Sequence, residues 1–182
     1  MNKLHLDEYF SSEQLLKLHY YIDVLLRWNN KINLTSRKNN RETLYNFALE
    51  AFAMVQLFKN KTDIIVDFGS GGGIPGVILA ILNCTNLHLV ELITKRASFL
   101  QFIIAELDLK TKVYNRNIVD FHLDKVDYLV SKAVSKPEII MKVTKHLLPN
   151  KIIIPSKIGH QVTLSNKIKF FFEVYDGGTC RI

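Results

Sequence analysis

Residues 64–76 read IIVDFGSGGGIPG, an apolar run that breaks into five glycines within eight residues. An apolar run ending in glycines is the pattern of a buried strand followed by a tight turn, where the backbone approaches a ligand without a side chain in the way. Two nucleotide fingerprints overlap here. Gly69, Gly71 and Gly73 fit the G-x-G-x-G loop of S-adenosylmethionine enzymes. Two residues on, Gly71, Gly73 and Gly76 fit the G-x-G-x-x-G loop of dinucleotide enzymes, which leaves an NAD(P)-dependent reductase as the alternative. A turn with no ligand is the third option.

Residues downstream narrow the choice. Glu91 closes the next apolar run, where a carboxylate accepts hydrogen bonds from both hydroxyls of a ribose. Loop and acid in register point to a nucleoside, but both cofactors carry adenosine. Asp67 tilts the choice. Placed two residues before Gly69, at the mouth of the strand, it suits the ammonium of a methionine moiety and repels a pyrophosphate. Pro75 fits the first turn of the helix that follows.

Outward from this stretch, the chain divides into two patterns. Residues 1–60 read as an N-terminal helical segment. Ser11 and Gln14 form a capping box, with Phe10 and Leu15 placed as its hydrophobic staple. Leu15, Leu18, Ile22 and Leu25 then recur at helical spacing up to Trp28, a residue expected in the core. The polar stretch 29–41 is a loop, and a second helix is expected over 41–58.

Residues 61–182 alternate short apolar runs with helical stretches. Strands are expected near 63–68, 87–91, 111–114, 127–131, 151–155 and 170–175. Helices are expected near 75–82, 94–107, 136–147 and 159–166. This alternation predicts an α/β fold with a mostly parallel sheet covered on both faces, packed with the N-terminal segment as one compact unit. Ligands of such sheets bind outside the carboxyl ends of the strands, where the glycine loop falls. The chain ends in DGGTCRI, so either the final strand is expected to be very short or the C-terminus to be trimmed.

Composition bounds the rest. In 182 residues, 24 Lys and Arg stand against 17 Asp and Glu, for a net charge of +7 that favours a polyanionic partner. No apolar run is long enough to span a bilayer and no signal core is visible, so a cytoplasmic protein is expected. Cys84 and Cys180 lack a metal-like pattern and read as free thiols. The six histidines are scattered, and no metal cluster is visible.

Four stretches then resemble one family. RWNNKINLTS (27–36), VDFGSGGGIPG (66–76), VELITKRASFL (90–100) and LVSKAVS (129–135) occur in the order and spacing of the bacterial guanine-N7 methyltransferases of small-subunit ribosomal RNA, also called the glucose-inhibited division protein B family. The W-N-x-x-x-N-L-T-S element is the most specific. The resemblance implies a class I S-adenosylmethionine methyltransferase fold, a Rossmann-like α/β core whose N-terminal segment helps bind 16S ribosomal RNA. It implies S-adenosyl-L-methionine as cofactor, the small ribosomal subunit or its precursor as partner, and a monomer. Gly69 and Ile74 match binding positions in and after the glycine loop, Glu91 the ribose acid, and Ile118 and Val119 the pair beside the adenine. With Asp67, Gly71, Gly73 and Lys132 they form the expected cofactor set.

Guanine N7 carries a free lone pair in the neutral base. Methylation there requires no general base, and no catalytic acid–base residue is expected; the task is positioning. Lys132 stands where the family usually has arginine, a change that matters where a planar fork is needed. It reads as a contact to the methionine carboxylate, a phosphate or guanine O6, or else as an ordinary hydrated lysine. Asn46 and Phe47 replace an Arg-His pair, and Glu50 replaces an aspartate. These departures raise the reading of a weakened RNA- or cofactor-binding homologue. For RNA contact the candidates are Arg37, Lys38 and Arg41 in the polar loop and its edge, and Lys95 and Arg96 at a helix start. Each also reads as plain solvated surface.

Overall fold

A computed structural model describes residues 5–165 and 168–177. Helix α1 (Ser12–Asn29) opens with the capping box read from the sequence. Ser11 Oγ accepts the Gln14 N–H at 3.3 Å and Gln14 Oε1 accepts the Ser11 N–H at 2.9 Å. Of its buried residues, Tyr21, Ile22 and Leu25 lie three, four and seven positions on from Leu18, which gathers them on one face. Helix α2 (Arg41–Val55) is capped by Asn40, whose side chain accepts the Thr43 N–H.

From Ile65 the chain alternates: β1 (Ile65–Phe68), α3 (Gly76–Ile81), β2 (Leu87–Glu91), α4 (Thr94–Glu106), β3 (Thr111–Asn115), β4 (Tyr128–Val130), α5 (Pro137–Thr144), β5 (Lys151–Ser156), β6 (His160–Thr163) and β7 (Lys169–Asp176). The seven strands lie in the order β3-β2-β1-β4-β5-β7-β6. The first five run parallel, while β7 is antiparallel to both β5 and β6.

Successive strand residues point to opposite faces, so each parallel strand feeds two cores. Ile65, Leu89, Val130 and Ile153 face a cluster with Leu18, Leu25, Leu49, Leu79 and Leu100, drawn from α1 to α4. Their neighbours Val66, Val90, Leu129 and Ile152 face a second cluster with Phe121, Ile140 and Leu147. The N-terminal helices therefore pack into the same core as α3 and α4.

Two expectations fail at the carboxyl end. The helix expected over 159–166 is strand β6. Val162 and Leu164 are buried at alternate positions, the period of a strand. Gly159 enters it at φ 103°, a left-handed turn that cannot open a helix. The apolar run near 170–175 is consequently the seventh strand, eight residues long, and not a shortened end to the sheet. Cys84 is buried and free, and burial pushes its thiol up to about 11; Cys180 lies outside the described residues. Among the described residues no helix is long and apolar enough to cross a membrane.

Candidate functional site

The carboxyl ends of the parallel strands open onto a cleft of about 670 Å³. At its floor the glycine loop leaves β1. Gly69 and Gly71 take φ angles of 71° and 56°, which side-chain-bearing residues rarely adopt, so the backbone lies bare along the cleft. The Gly71 N–H donates to Glu91 Oε2 at 2.8 Å, and the Ile93 N–H donates to Glu91 Oε1 at the same distance. Asn115 fixes the backbone above, its Nδ2 donating to the carbonyls of Glu91 and Leu92. Glu91 is 4% exposed, and each oxygen has used one acceptor position on the protein. A carboxylate offers about four, so two remain for a pair of hydroxyls.

Of the predicted cofactor residues, the structure brings Gly69, Gly71, Ile74, Glu91, Ile118 and Lys132 together on the cleft wall. Asp67, Gly73 and Val119 stand apart. Asp67 is not on the cleft wall. It is 1% exposed and lies beneath the loop, where Oδ2 accepts the Gly76 N–H at 3.1 Å and Oδ1 is buried without a partner. Its parity in β1, two residues from Ile65, turns it toward the face on which α1 to α4 pack. Burial raises its carboxyl to about 7; bonds from neighbouring donors offset part of that rise and the nearby Glu91 charge adds to it.

Asp67 also answers the dinucleotide reading. Gly76 begins α3 with its N–H spent on a buried carboxyl, so this turn offers no free helix terminus to a pyrophosphate. Gly73 serves packing, since a side chain there would collide with Val77 and approach Leu100. Val119 is half-exposed next to the wall, its N–H held by Asn117 Oδ1 at 3.3 Å.

The tryptophan–asparagine element explains itself structurally. Trp28 packs on Phe99 and stacks on Phe102, with centroids 5.5 and 5.4 Å away, as expected of a core residue. Asn29 is buried, and its Oδ1 accepts the N–H groups of Leu34 at 2.9 Å and Thr35 at 3.0 Å. That pins the following loop across the glycines. A side-chain carbon on Gly72 would lie 2.9 Å from both Leu25 Cδ1 and Leu34 O, so only glycine admits this approach. Tyr21 completes the clamp, its hydroxyl donating to Gly72 O at 2.7 Å.

The predicted RNA-contacting cations separate into two groups. Arg96 lines the cleft and ties the loop down, its Nε donating to Asn33 O at 2.8 Å. Arg37 and Lys38 are exposed on that loop, Arg37 sharing a shallow groove with Arg96, and Lys95 is exposed at the start of α4. Arg41 differs, being paired with Asp23 between α1 and α2. Arg116, Asn117, Ser36 and Asn39 also line the cleft and were not singled out from the sequence. Arg116 and Asn117 directly follow a strand end, the position where such sheets bind ligands.

Three of the departures from the resembled pattern meet at one point. Lys132, in the turn after β4, pairs with Glu50 of α2 and stands 4.1 Å over the centre of the Phe47 ring. Phe47 and Glu50, three apart, share a face of α2. Asn46 is exposed and takes no part.

A sheet of this order, with a glycine loop after β1, an acid at the end of β2 and an antiparallel β7 between β5 and β6, defines a class I, Rossmann-like S-adenosylmethionine methyltransferase fold. Phosphoethanolamine N-methyltransferase 1 of Haemonchus contortus, solved with phosphoethanolamine and S-adenosylhomocysteine, shares that fold at a TM-score of 0.54 and 14% identity, over 86% of this chain and 35% of that one. The model of the family rRNA small subunit methyltransferase G matches residues 14–161, from the first turn of α1 into β6. Ribosomal RNA small subunit methyltransferase G of Ruthia magnifica is 31% identical over 142 residues, 76% of this chain and 69% of that protein. The protein of the same name from Orientia tsutsugamushi (strain Ikeda) is 27% identical over 180 residues, 97% of this chain and 90% of that protein. The chain belongs to the rRNA small subunit methyltransferase G family.

Proposed function

We propose that the protein uses S-adenosyl-L-methionine to methylate N7 of a guanine in 16S ribosomal RNA of the small subunit or its precursor. The observation that carries this reading is the double backbone grip on Glu91 beside left-handed glycines, which fits a ribose and the adenosine it belongs to. Gly69 and Gly71 give the ligand backbone rather than side chain, and Ile74 and Ile118 supply apolar wall. Bound there, S-adenosylmethionine supplies an electrophilic methyl group. The protein's own part is to orient, to exclude water, and to leave N7 unprotonated and unobstructed, so no residue is assigned as general base.

Residues 1–60 act as the RNA-binding accessory segment and residues 61–182 as the methyltransferase core, with Arg96 at the cleft, Arg37 in the adjoining groove and the exposed Lys38 and Lys95 contacting phosphates. Arg41 is left out of that set because Asp23 already neutralises it. The working form is a monomer in the cytoplasm. The test is transfer of tritiated methyl groups to small subunits from a strain lacking the modification. Stoichiometric incorporation supports the reading, and none, with cofactor binding intact, rejects it.

A further inference from the structure

We propose that Glu50 and Phe47 are positioning residues that hold Lys132 as the hydrogen-bond donor to O6 of the target guanine. This rests on the methyltransferase reading above and adds which side chains select the base. The strand order divides the cleft. Glu91 and Ile118 follow β2 and β3 on one side of the glycine loop, and they mark the adenosine end. Lys132 follows β4 on the other side and faces Phe47 across the wall. The methyl acceptor therefore enters at the Lys132 end.

Guanine presents two acceptors on the edge that carries N7, namely N7 itself and O6, whereas adenine presents an amino donor beside its N7. An enzyme that methylates N7 cannot hydrogen-bond it, so the donor belongs on O6. Lys132 has three N–H donors. Glu50 takes one, the Phe47 ring bears the ammonium at 4.1 Å, and a donor remains for the cleft.

Glu50 has a second effect. N7 methylation turns the base into a cation, and a lone ammonium at its edge would oppose that change. Paired with Glu50, Lys132 donates without adding net charge, and the carboxylate and the ring face remain beside the product. A merely structural ion pair would not require Lys132 to be a residue of the cleft wall, as it is.

The test compares wild type, Glu50→Gln, Lys132→Met, the double variant and Phe47→Leu in single-turnover methyl transfer to modification-lacking small subunits. S-adenosylhomocysteine affinity by calorimetry and the melting temperature are measured on each. Glu50→Gln and Lys132→Met should each slow transfer at least tenfold, Phe47→Leu by less. The double variant should be no slower than Lys132→Met, because the residues act as a unit. Cofactor-product affinity should stay within threefold throughout. Losses that multiply in the double variant would overturn the proposal, as would affinity falling in step with rate, which would assign Lys132 to the methionine carboxylate. If Glu50→Gln does not fold, Glu50→Asp replaces it: slower transfer at unchanged affinity supports the proposal and an unchanged rate overturns it. Wild type that binds S-adenosylhomocysteine yet transfers no methyl overturns the methyltransferase reading itself, and this inference with it.

Discussion

Glu91 at the end of β2 holds the Gly71 N–H at 2.8 Å, so the acid that faces the cleft also sets the shape of the glycine loop. Replacing Glu91 with Gln keeps the volume but removes the charge from both bonds and from any ribose hydroxyl. Charge-assisted hydrogen bonds are worth about 1.5–3 kcal/mol, which converts to a loss of roughly 10- to 150-fold in S-adenosylhomocysteine affinity. Calorimetry on the folded variant measures it. Unchanged affinity would remove Glu91 from the site.

Asn29 is predicted to matter for the cofactor although it touches no part of the cleft. Its side chain alone accepts two N–H groups of the loop that crosses Gly72. Asn29→Ala leaves both donors without that acceptor, at a cost of about 1–3 kcal/mol for each buried one. Urea denaturation should show the loss, and cofactor affinity should fall with it as the loop lifts.

Asp67 predicts a pH dependence with a definite sign. Its folded-state value of about 7 lies above its ordinary value of 3.8. Between those values the folded protein holds the proton more tightly than the unfolded chain. This group's contribution is therefore favourable below about pH 4 and is lost as pH rises through 7, at up to about 1.4 kcal/mol per pH unit. Asp67→Asn should flatten that part of the stability curve between pH 4 and 7. Urea midpoints across the window test it, and an unchanged slope would show that Asp67 titrates normally.

The cations should separate by salt dependence. Lys95→Ala and Arg37→Ala are each expected to weaken binding to the small subunit and to lower the slope of log affinity against log salt by roughly 0.7–0.9. Arg41→Ala should leave the slope unchanged, since Asp23 already offsets that charge. Equal effects at all three positions would mean that pairing with Asp23 does not take Arg41 out of the RNA-contacting set.

What the sequence disclosed was mostly local. A capping box, a glycine turn and an acid one strand later are set by neighbours in the chain, and all three stand where they were expected. Residues whose role depends on facing were harder. Asp67 lies two residues from the loop, yet its place in the strand turns it into the core. Strand β6 holds one apolar residue, Val162, with Leu164 just beyond its end, too few to fix a period in the sequence. The meeting of Phe47, Glu50 and Lys132 joins positions 82 residues apart, and single-sequence patterns hold no record of such contacts. Asn29 stood inside the most specific motif, but its task of pinning a loop shows only in three dimensions.

The central claim is tested most directly by locating the methyl group. Small subunits lacking the modification are incubated with the protein and S-adenosylmethionine, and their 16S RNA is then cleaved chemically at N7-methylguanine. One new cleavage site, absent when either Glu91→Gln protein or no cofactor is used, is the predicted result. Cleavage nowhere, or methyl incorporation at an atom other than guanine N7, would contradict the account.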